Sequence, residues 1–386
     1  MRLATKIFID RQLSAPVLLV FKQMAVFLGW LLKIPHHLEP KSEIVIMKMV
    51  GGGSLVIALP NLLGLKRRYP NIELVLVTTP SAEPFGRVLG VFDRIEVIDD
   101  TSLPKLAFSA FWCLIKLWRA DTVIDLEVHS RLTTLFALWI CSRNRLAFYV
   151  GETFWKRKIA THMIYLQLSA GIHGYYDQIF GLLDAKPATA EETKAHLSKV
   201  SYIKPSEPAH QPRLGISHAC SELGQERQLT PKEWGNVLAR RYAPETHFSL
   251  SIFGALGDHA FGDKVKAEIG SRFPHAEILN TCGIYAMPEV VRRIAGLDEL
   301  WCVDSALLHV ARAVGCRTVS FWGPTDPITR LRDYDPAWDE VHYSRVPCSP
   351  CVHIAVHPPC RGDNVCIKRI AGTLPPDSEI PIWVIQ

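Results

Sequence analysis

Short runs of β-branched and aliphatic residues alternate with longer stretches of helical periodicity over most of this chain. Glu43–Met47, Ile72–Val77, Arg94–Ile98 and Asp121–Leu126 read as strands, with amphipathic helices at Ser54–Arg68 and Leu106–Arg119. A helical zone is expected from about Phe154 to Leu183. Residues 186–212, rich in Pro, Ala and charge, read as a linker. The pattern then restarts, with strands predicted at Arg213–Ser217, His247–Phe253, Glu277–Asn280, Glu299–Val303 and Thr318–Phe321. Thr230, Pro231 and Glu233 supply the N-cap, first-turn proline and capping-box glutamate of a helix start. Strands alternating with helices imply βαβ units and a parallel sheet. Two such series predict an α/β chain of two domains, 41–185 and 213–344, with a ligand cleft between them.

Residues 1–40 stand apart. Val17 to Leu32 is apolar except for Lys22 and Gln23, and these 16 residues fall short of a bilayer span, which takes about 20. Lys6, Arg11, Lys22 and Lys33 accompany Phe21, Phe27 and Trp30, a mixture suited to the headgroup region of a membrane. Packing on the chain's own first domain and a true membrane span are the alternatives. Pro35 and Pro40 end the segment.

Composition narrows the classes. At 386 residues and 48% apolar content, the chain is long enough for two packed domains. A net charge of +5, from 43 basic and 38 acidic side chains, is too small to argue for nucleic acid. Six of the ten cysteines are scattered singly in apolar or mixed segments, as buried reduced thiols are. No cleavable signal peptide is evident, and a reducing cytoplasm is expected.

Four segments could carry chemistry. The first is Lys48-Met49-Val50-Gly51-Gly52-Gly53-Ser54, after the first strand, where glycines allow close backbone approach and a helix N-terminus follows. It lacks the Gly-Lys-Ser/Thr of a Walker loop, and Val56 stands at the third glycine position of a dinucleotide fingerprint. A ligand-free tight turn is the alternative. The second is Asp125 to Arg131, at the C-terminal end of a predicted strand, where open parallel sheets bind ligands. Asp125 and Glu127 share one strand face, and His129 or Ser130 could instead cap the next helix. The third is Val303 to Gly315, with Asp304 or Ser305 capping a helix that Gly315 closes. The small residues Ser305 and Ala306 leave first-turn amides open to a diphosphate, and His309 lies one turn along on the face of Ser305. The rigid turn Phe321-Trp322-Gly323-Pro324-Thr325-Asp326-Pro327 follows the next strand.

The fourth is Cys348, Cys351, Cys360 and Cys366, a C-x2-C-x8-C-x5-C array within 345–370. Four thiolates suit a tetrahedral zinc or iron ion of structural role, with His353 or His357 as possible substitutes. Disulfides or free thiols are the alternative. A basic stretch of Arg143, Arg145, Lys156, Arg157 and Lys158 reads as a solvated face, or as a contact for an anionic glycolipid or membrane.

Ile44–Pro60, Asn280–Gly315, the FWGPTDP run at 321–327 and the C-terminal cysteine hook together resemble the heptosyltransferase-like glycosyltransferases of family 9. The likeness spans about residues 41 to 370. It implies a GT-B fold of two Rossmann-like domains, the first for the acceptor and the second for the donor. It also implies inverting transfer without a catalytic metal, from an ADP-heptose-like donor to a cell-envelope glycan or glycolipid. The donor would be held around Gly52, Gly53, His218, Asp304, Ser305, Ala306, His309, Gly323, Thr325 and Asp326, with Arg227 and Lys232 near a diphosphate-contacting position.

Members of that family commonly place a catalytic aspartate just after the glycine turn, where this chain has Ser54. Glu127, or Asp125 as second choice, is the expected substitute base. The implied setting is the cytoplasmic face of the inner membrane, with peripheral membrane contact. The alternatives are a protein heptosyltransferase of the autotransporter type with a metal-binding cysteine hook, and a catalytically silent nucleotide-sugar binder.

Overall fold

The computed structural model describes residues 3–33, 35–203, 211–220, 222–352, 360 and 363–373. The chain divides into two compact units, Met1–Thr189 and Ala190–Gln386. Most of the 186–212 stretch therefore belongs to the second unit, and part of it is helical (α8, Ala190–Val200). Thr193 and Leu197 bury one stripe of this helix. Alanine and glutamate, read as linker composition, are also strong helix formers.

The first unit opens with helices α1 (Leu3–Phe8) and α2 (Ser14–Leu32), joined by a π turn. It continues as β1 (Glu43–Met47), α3 (Gly52–Arg68), β2 (Glu73–Thr78), α4 (Glu83–Leu89), β3 (Arg94–Val97), α5 (Leu103–Lys116), β4 (Thr122–Asp125), α6 (Arg131–Trp139), β5 (Asn144–Tyr149), β6 (His162–Tyr165) and α7 (Gly171–Gly181). The strands form one parallel sheet in the order β3-β2-β1-β4-β5-β6. Val45, Met47, Val75, Val77 and Val123 project from one face of it against Cys113 and Leu117 of the α5 region and Phe136, Ala137 and Ile140 of the α6 region. On the other face, Leu76 lies beneath Gly86 of α4, with α3 and α7 alongside.

The second unit adds β7 (Arg213–Ser217), α9 (Pro231–Ala239), β8 (Ser249–Phe253), α10 (His259–Arg272), β9 (Glu277–Asn280), α11 (Met287–Ala295), β10 (Glu299–Val303), α12 (Ala306–Val314), β11 (Arg317–Trp322), β12 (Asp339–Tyr343) and α13 (Val365–Ile370). Its parallel sheet runs β12-β11-β10-β7-β8-β9. Trp234, Phe248, Trp301 and Phe321 fill its core. The start of α9 is as predicted: Thr230 and Glu233 form a reciprocal capping box with Pro231 in the first turn.

Three expectations need correction. The helical zone at Phe154–Leu183 contains strand β6, and β5 and β12 also went unpredicted; β6 and β12 are sheet edges. The helix expected at Leu106–Arg119 runs from Leu103 to Lys116 and carries a second apolar face besides the inward one. Leu106, Ala110, Cys113 and Leu114 pack inward, while Phe108, Phe111, Trp112 and Ile115 are exposed on the opposite side.

The N-terminal helical segment also exceeds the 16 apolar residues read from sequence. Thr5–Leu31 is 27 residues, long and apolar enough to cross a membrane by length and composition. One stripe of it is nonetheless fastened to the first unit. Asp10 accepts from Ser130 Oγ (2.7 Å) and Leu132 N (2.9 Å) at the start of α6. Leu18 is buried against Leu135, Leu138 and Ile159, and Lys22 Nζ donates to Trp155 O at 2.9 Å.

Candidate functional site

In the first unit, central strands β1 and β4 are register partners at Met47 and Asp125, so the segments after them emerge side by side. Glu127 bridges them. Its Oε1 accepts from Lys48 Nζ at 2.9 Å, Met49 N at 2.8 Å and Val50 N at 3.1 Å. Burial works against the charge of both partners. The Glu127 carboxylate nevertheless raises the Lys48 ammonium, and Lys48 with the two amides holds Glu127 below the usual carboxylate range. Among the described residues, Oε2 of Glu127 makes no hydrogen bond.

Asp125 is more deeply placed. Oδ1 accepts from Glu127 N at 3.0 Å, and Oδ2 accepts from Thr133 Oγ1 at 3.1 Å and Thr134 Oγ1 at 3.4 Å. Lys156, fully buried, lies 3.6 Å from Oδ2 and donates to Glu127 O at 2.7 Å. Burial raises the Asp125 carboxyl despite Lys156. Both oxygens are engaged, so Asp125 braces this strand end. Ser130, not His129, caps α6, accepting from Thr133 N at 3.2 Å.

Three members of the expected basic stretch are engaged within the unit. Arg143 pairs with Asp121 at 2.7 Å, Arg145 donates to Ile159 O and Ser142 O, and Lys156 belongs to the cluster above. Arg157 and Lys158 remain outward.

The glycine turn is explained in part by packing. Gly51 has φ +85°, a left-handed conformation suited to glycine. A Cβ on Gly52 would come within 2.1 Å of the Phe85 ring. Ser54 stands in the first turn of α3, its amide bonded to Gly51 O at 3.0 Å.

In the second unit, β7, β10 and β11 are neighbours, and their C-terminal ends deliver His218, Asp304 and Thr325. Ser305 is the N-cap of α12, but no side chain caps that end, leaving first-turn amides available to an anion. Asp304 is buried beside it. Arg227 Nη1 donates to Asp304 O at 2.7 Å and Oδ2 at 3.1 Å, while His309 Nε2 lies 3.7 Å from Oδ1. Burial opposes the Asp304 charge, yet His309, Arg227 and Arg330 hold its carboxyl far below the usual range. Burial outweighs Asp304 at His309 and lowers that imidazole.

His218, also lowered by burial, lies 3.6 Å from Cys282 Sγ through Nε2 and packs against the Phe261 ring, tilted by 34°. Its Nδ1 and the Oγ1 of Thr325 are buried without a hydrogen-bond partner among the described residues. Asp326 caps a short turn, accepting from Ile328 N at 3.0 Å. Gly323 is required by packing, because a Cβ there would meet Cys366 Sγ at 2.5 Å. Arg227, read loosely from sequence, proves integral to the α12 end. Nothing in its local pattern announced that, because its partner is 77 residues away.

Cys348, Cys351, Cys360 and Cys366 line one small cavity with Gly323, Pro324 and Val346. Among the described residues, no three His, Cys, Asp or Glu side chains are arranged to hold a metal ion. The four thiols share this cavity without being drawn into a coordination sphere, and their donor set suits zinc or iron. Burial, followed by the neighbouring thiols, pushes Cys351 up to about 11. Burial pushes Cys366 up to about 12, again with the neighbouring thiols adding to it. His353 and His357 lie outside the described residues.

The fold has counterparts of known structure. A glycosyltransferase of family 9 from Veillonella parvula superposes with a TM-score of 0.58 at 16% identity, covering 80% of this chain and 86% of that one. ADP-heptose LPS heptosyltransferase II of E. coli gives 0.58 at 15% identity, covering 86% and 97%. E. coli heptosyltransferase WaaC, solved with ADP-2-deoxy-2-fluoro heptose, gives 0.58 at 15%, covering 78% and 93%. These likenesses establish the GT-B architecture. No curated protein matches the sequence. The model of glycosyltransferase family 9 (heptosyltransferase) matches residues 161–358, just over half of the sequence. On that match the chain is a glycosyltransferase and belongs to family 9, the heptosyltransferase family.

Proposed function

We propose that the protein transfers a heptose-type sugar, with inversion, from a nucleotide-diphosphate donor of the ADP-heptose kind to a cell-envelope glycan or glycolipid. The uncapped N-terminus of α12, at the end of central strand β10, carries this reading. Its amides and the positive end of its dipole suit a pyrophosphate. Asp304, pinned by Arg227, positions the turn. His218 and Thr325, each with a buried polar atom lacking a partner among the described residues, are candidate contacts to the donor.

In the proposed reaction, Glu127 Oε2 takes the proton of the acceptor hydroxyl. The acceptor oxygen bonds to the anomeric carbon as the bond to the diphosphate breaks, and the diphosphate leaves with both electrons. Lys48 and two amides fix the other carboxylate oxygen, so the base is oriented and stays ionised at neutral pH. Ser54 leaves this role to Glu127. The N-terminal helix and the outward cations Arg157 and Lys158 support an acceptor carried at the inner face of the inner membrane.

For the cysteine cluster we propose a structural zinc or iron ion held by Cys348, Cys351, Cys360 and Cys366. Such an ion would staple the 345–370 loop and take no part in transfer.

The donor assignment is tested with Ala306→Glu. A carboxylate in the first turn suits the α12 dipole, so the fold is retained while an anionic ligand is repelled. Binding of ADP-heptose should weaken at least about tenfold, a difference of about 1.4 kcal/mol, with the thermal midpoint kept. Unchanged binding would overturn the assignment.

A further inference from the structure

Helix α5 is apolar on both sides. Leu106, Ala110, Cys113 and Leu114 face the sheet. Phe108, Phe111, Trp112 and Ile115, spaced i, i+3, i+4, i+7, face outward, with Trp118 just beyond. Their exposures run from 48% to 67%, and Phe108 and Phe111 cluster around Trp112 at 6.2 and 6.1 Å. Only a narrow stripe of Lys105, Ser109 and Lys116 separates the two apolar sides, and an outward apolar face of this breadth belongs in a core or against lipid; this one is in no core. A single-sided contact with water as the other partner would have placed polar residues at these positions.

Helix α2 repeats the arrangement on the same side of the sheet. Helices α5 and α6 cover one sheet face together, and α2 packs on α6 through Leu18 and Phe21. The rest of α2 exposes Leu19, Val20, Phe27, Trp30 and Leu31. A Lys6–Asp100 ion pair ties α1 to the loop that precedes α5. Both apolar surfaces therefore lie on the same side of the sheet, that of α5 directly over it and that of α2 outside α6.

Beside α2 lies an open depression of about 440 Å³ lined by Lys22, Phe154, Trp155, Arg157 and Lys158 among others. No carboxylate lines it, and none of its three cations forms an ion pair among the described residues. Arg157 stacks over Phe154 at 5.6 Å. Three cations and two aromatic rings at the margin of an apolar surface match the phosphate level of a bilayer. The lysines of α5 contribute less, since Lys105 pairs with Asp99 and Lys116 with Glu96.

We propose that the outer faces of α5 and α2 together dock on an anionic lipid bilayer, with lipid phosphates received by Lys22, Arg157 and Lys158. The proposal deepens the reading of a membrane-borne acceptor and rests on it only for its purpose. A helix fastened along its length at Asp10, Leu18 and Lys22 lies on the unit, which favours a surface seat over a span.

The test uses the full chain and vesicles of phosphatidylcholine alone or mixed equally with phosphatidylglycerol. Phe108→Ser/Phe111→Ser/Trp112→Ser should lower vesicle partitioning at least about tenfold, with nucleotide-sugar binding unchanged. Arg157→Glu/Lys158→Glu should weaken binding to the anionic vesicles only. Should the triple variant not fold, Trp112→Phe/Trp118→Phe keeps the surface apolar and should lose much of the fluorescence quenching that brominated phospholipid produces in the parent protein. Equal partitioning of parent and α5 variants, or quenching unaffected by the Phe pair, overturns the proposal. So does a parent that ignores vesicles and instead self-associates through α5. Vesicle binding without any sugar transfer would sink the proposed reaction and leave the docking surface standing.

Discussion

Glu127 is held by Lys48 across the ends of strands β1 and β4, ammonium to carboxylate at 2.9 Å. The same oxygen accepts two backbone amides of the glycine turn, so one side chain fixes both the loop and its own orientation. Glu127→Gln keeps the size of the group and removes its basicity. Turnover should fall by about 10²–10⁴-fold, the usual contribution of general base catalysis, while donor binding by calorimetry stays within about twofold. Full turnover in a folded variant would reassign the base.

Lys48→Met leaves a carboxylate with 17% side-chain exposure and only amides as partners. Breaking a largely buried pair by deleting one member costs about 3 kcal/mol, to be read by urea denaturation. Lys48→Arg should recover part of that loss.

Gly52→Ala should destabilise the first unit by about 1–3 kcal/mol, the range for forced overpacking, because the new methyl would meet the Phe85 ring. Combining it with Phe85→Ala should cost less than the sum of the two single changes. Additivity in that cycle would show that the glycine serves something other than packing.

Stability should decline as pH falls from 7.5 to 5.5. Burial holds His129, His162, His218 and His309 below their ordinary 6.5 in the folded chain. As pH drops through 6.5, the unfolded state binds more protons than the folded one, so unfolding becomes easier. The depressed Glu127 and Asp304 carboxyls act in the same direction at lower pH, their stabilisation being lost below the unfolded values near 4. The check is the thermal midpoint against pH; a flat or rising midpoint on acidification would contradict the burial of these imidazoles.

Elemental analysis of protein purified without chelator should find about one zinc or iron per chain, and Cys351→Ser/Cys366→Ser should remove it. Four thiols titrating freely in metal-free protein would instead identify this cavity as a cluster of reduced cysteines.

Much of the fold was legible because central parallel strands are buried on both faces and read as unbroken apolar runs: Glu43–Met47, Arg213–Ser217 and Glu299–Val303 were found to the residue. The edge strands β6 and β12 were lost because sequences such as HMIY and DEVHY are short and half polar. Asp304 and Ser305 were recognisable from helix-start chemistry. The tie between Arg227 and Asp304 was not, since periodicity carries no information about partners distant in sequence. The outward face of α5 was missed for the opposite reason. The stretch reads as an amphipathic helix with one apolar face, and only the tertiary arrangement reveals a second apolar stripe that cannot also be interior.

Ser54 occupies the first turn of α3, the very stretch where a helix dipole welcomes an anion. An aspartate could be accommodated there with little harm to the backbone, so folding alone does not account for the serine. Once Glu127 is anchored by Lys48 and the turn amides, a second carboxylate nearby would add repulsion. With a hydroxyl at Ser54, the negative charge beside the glycine turn is concentrated on Glu127, where Lys48 and two amides already hold it.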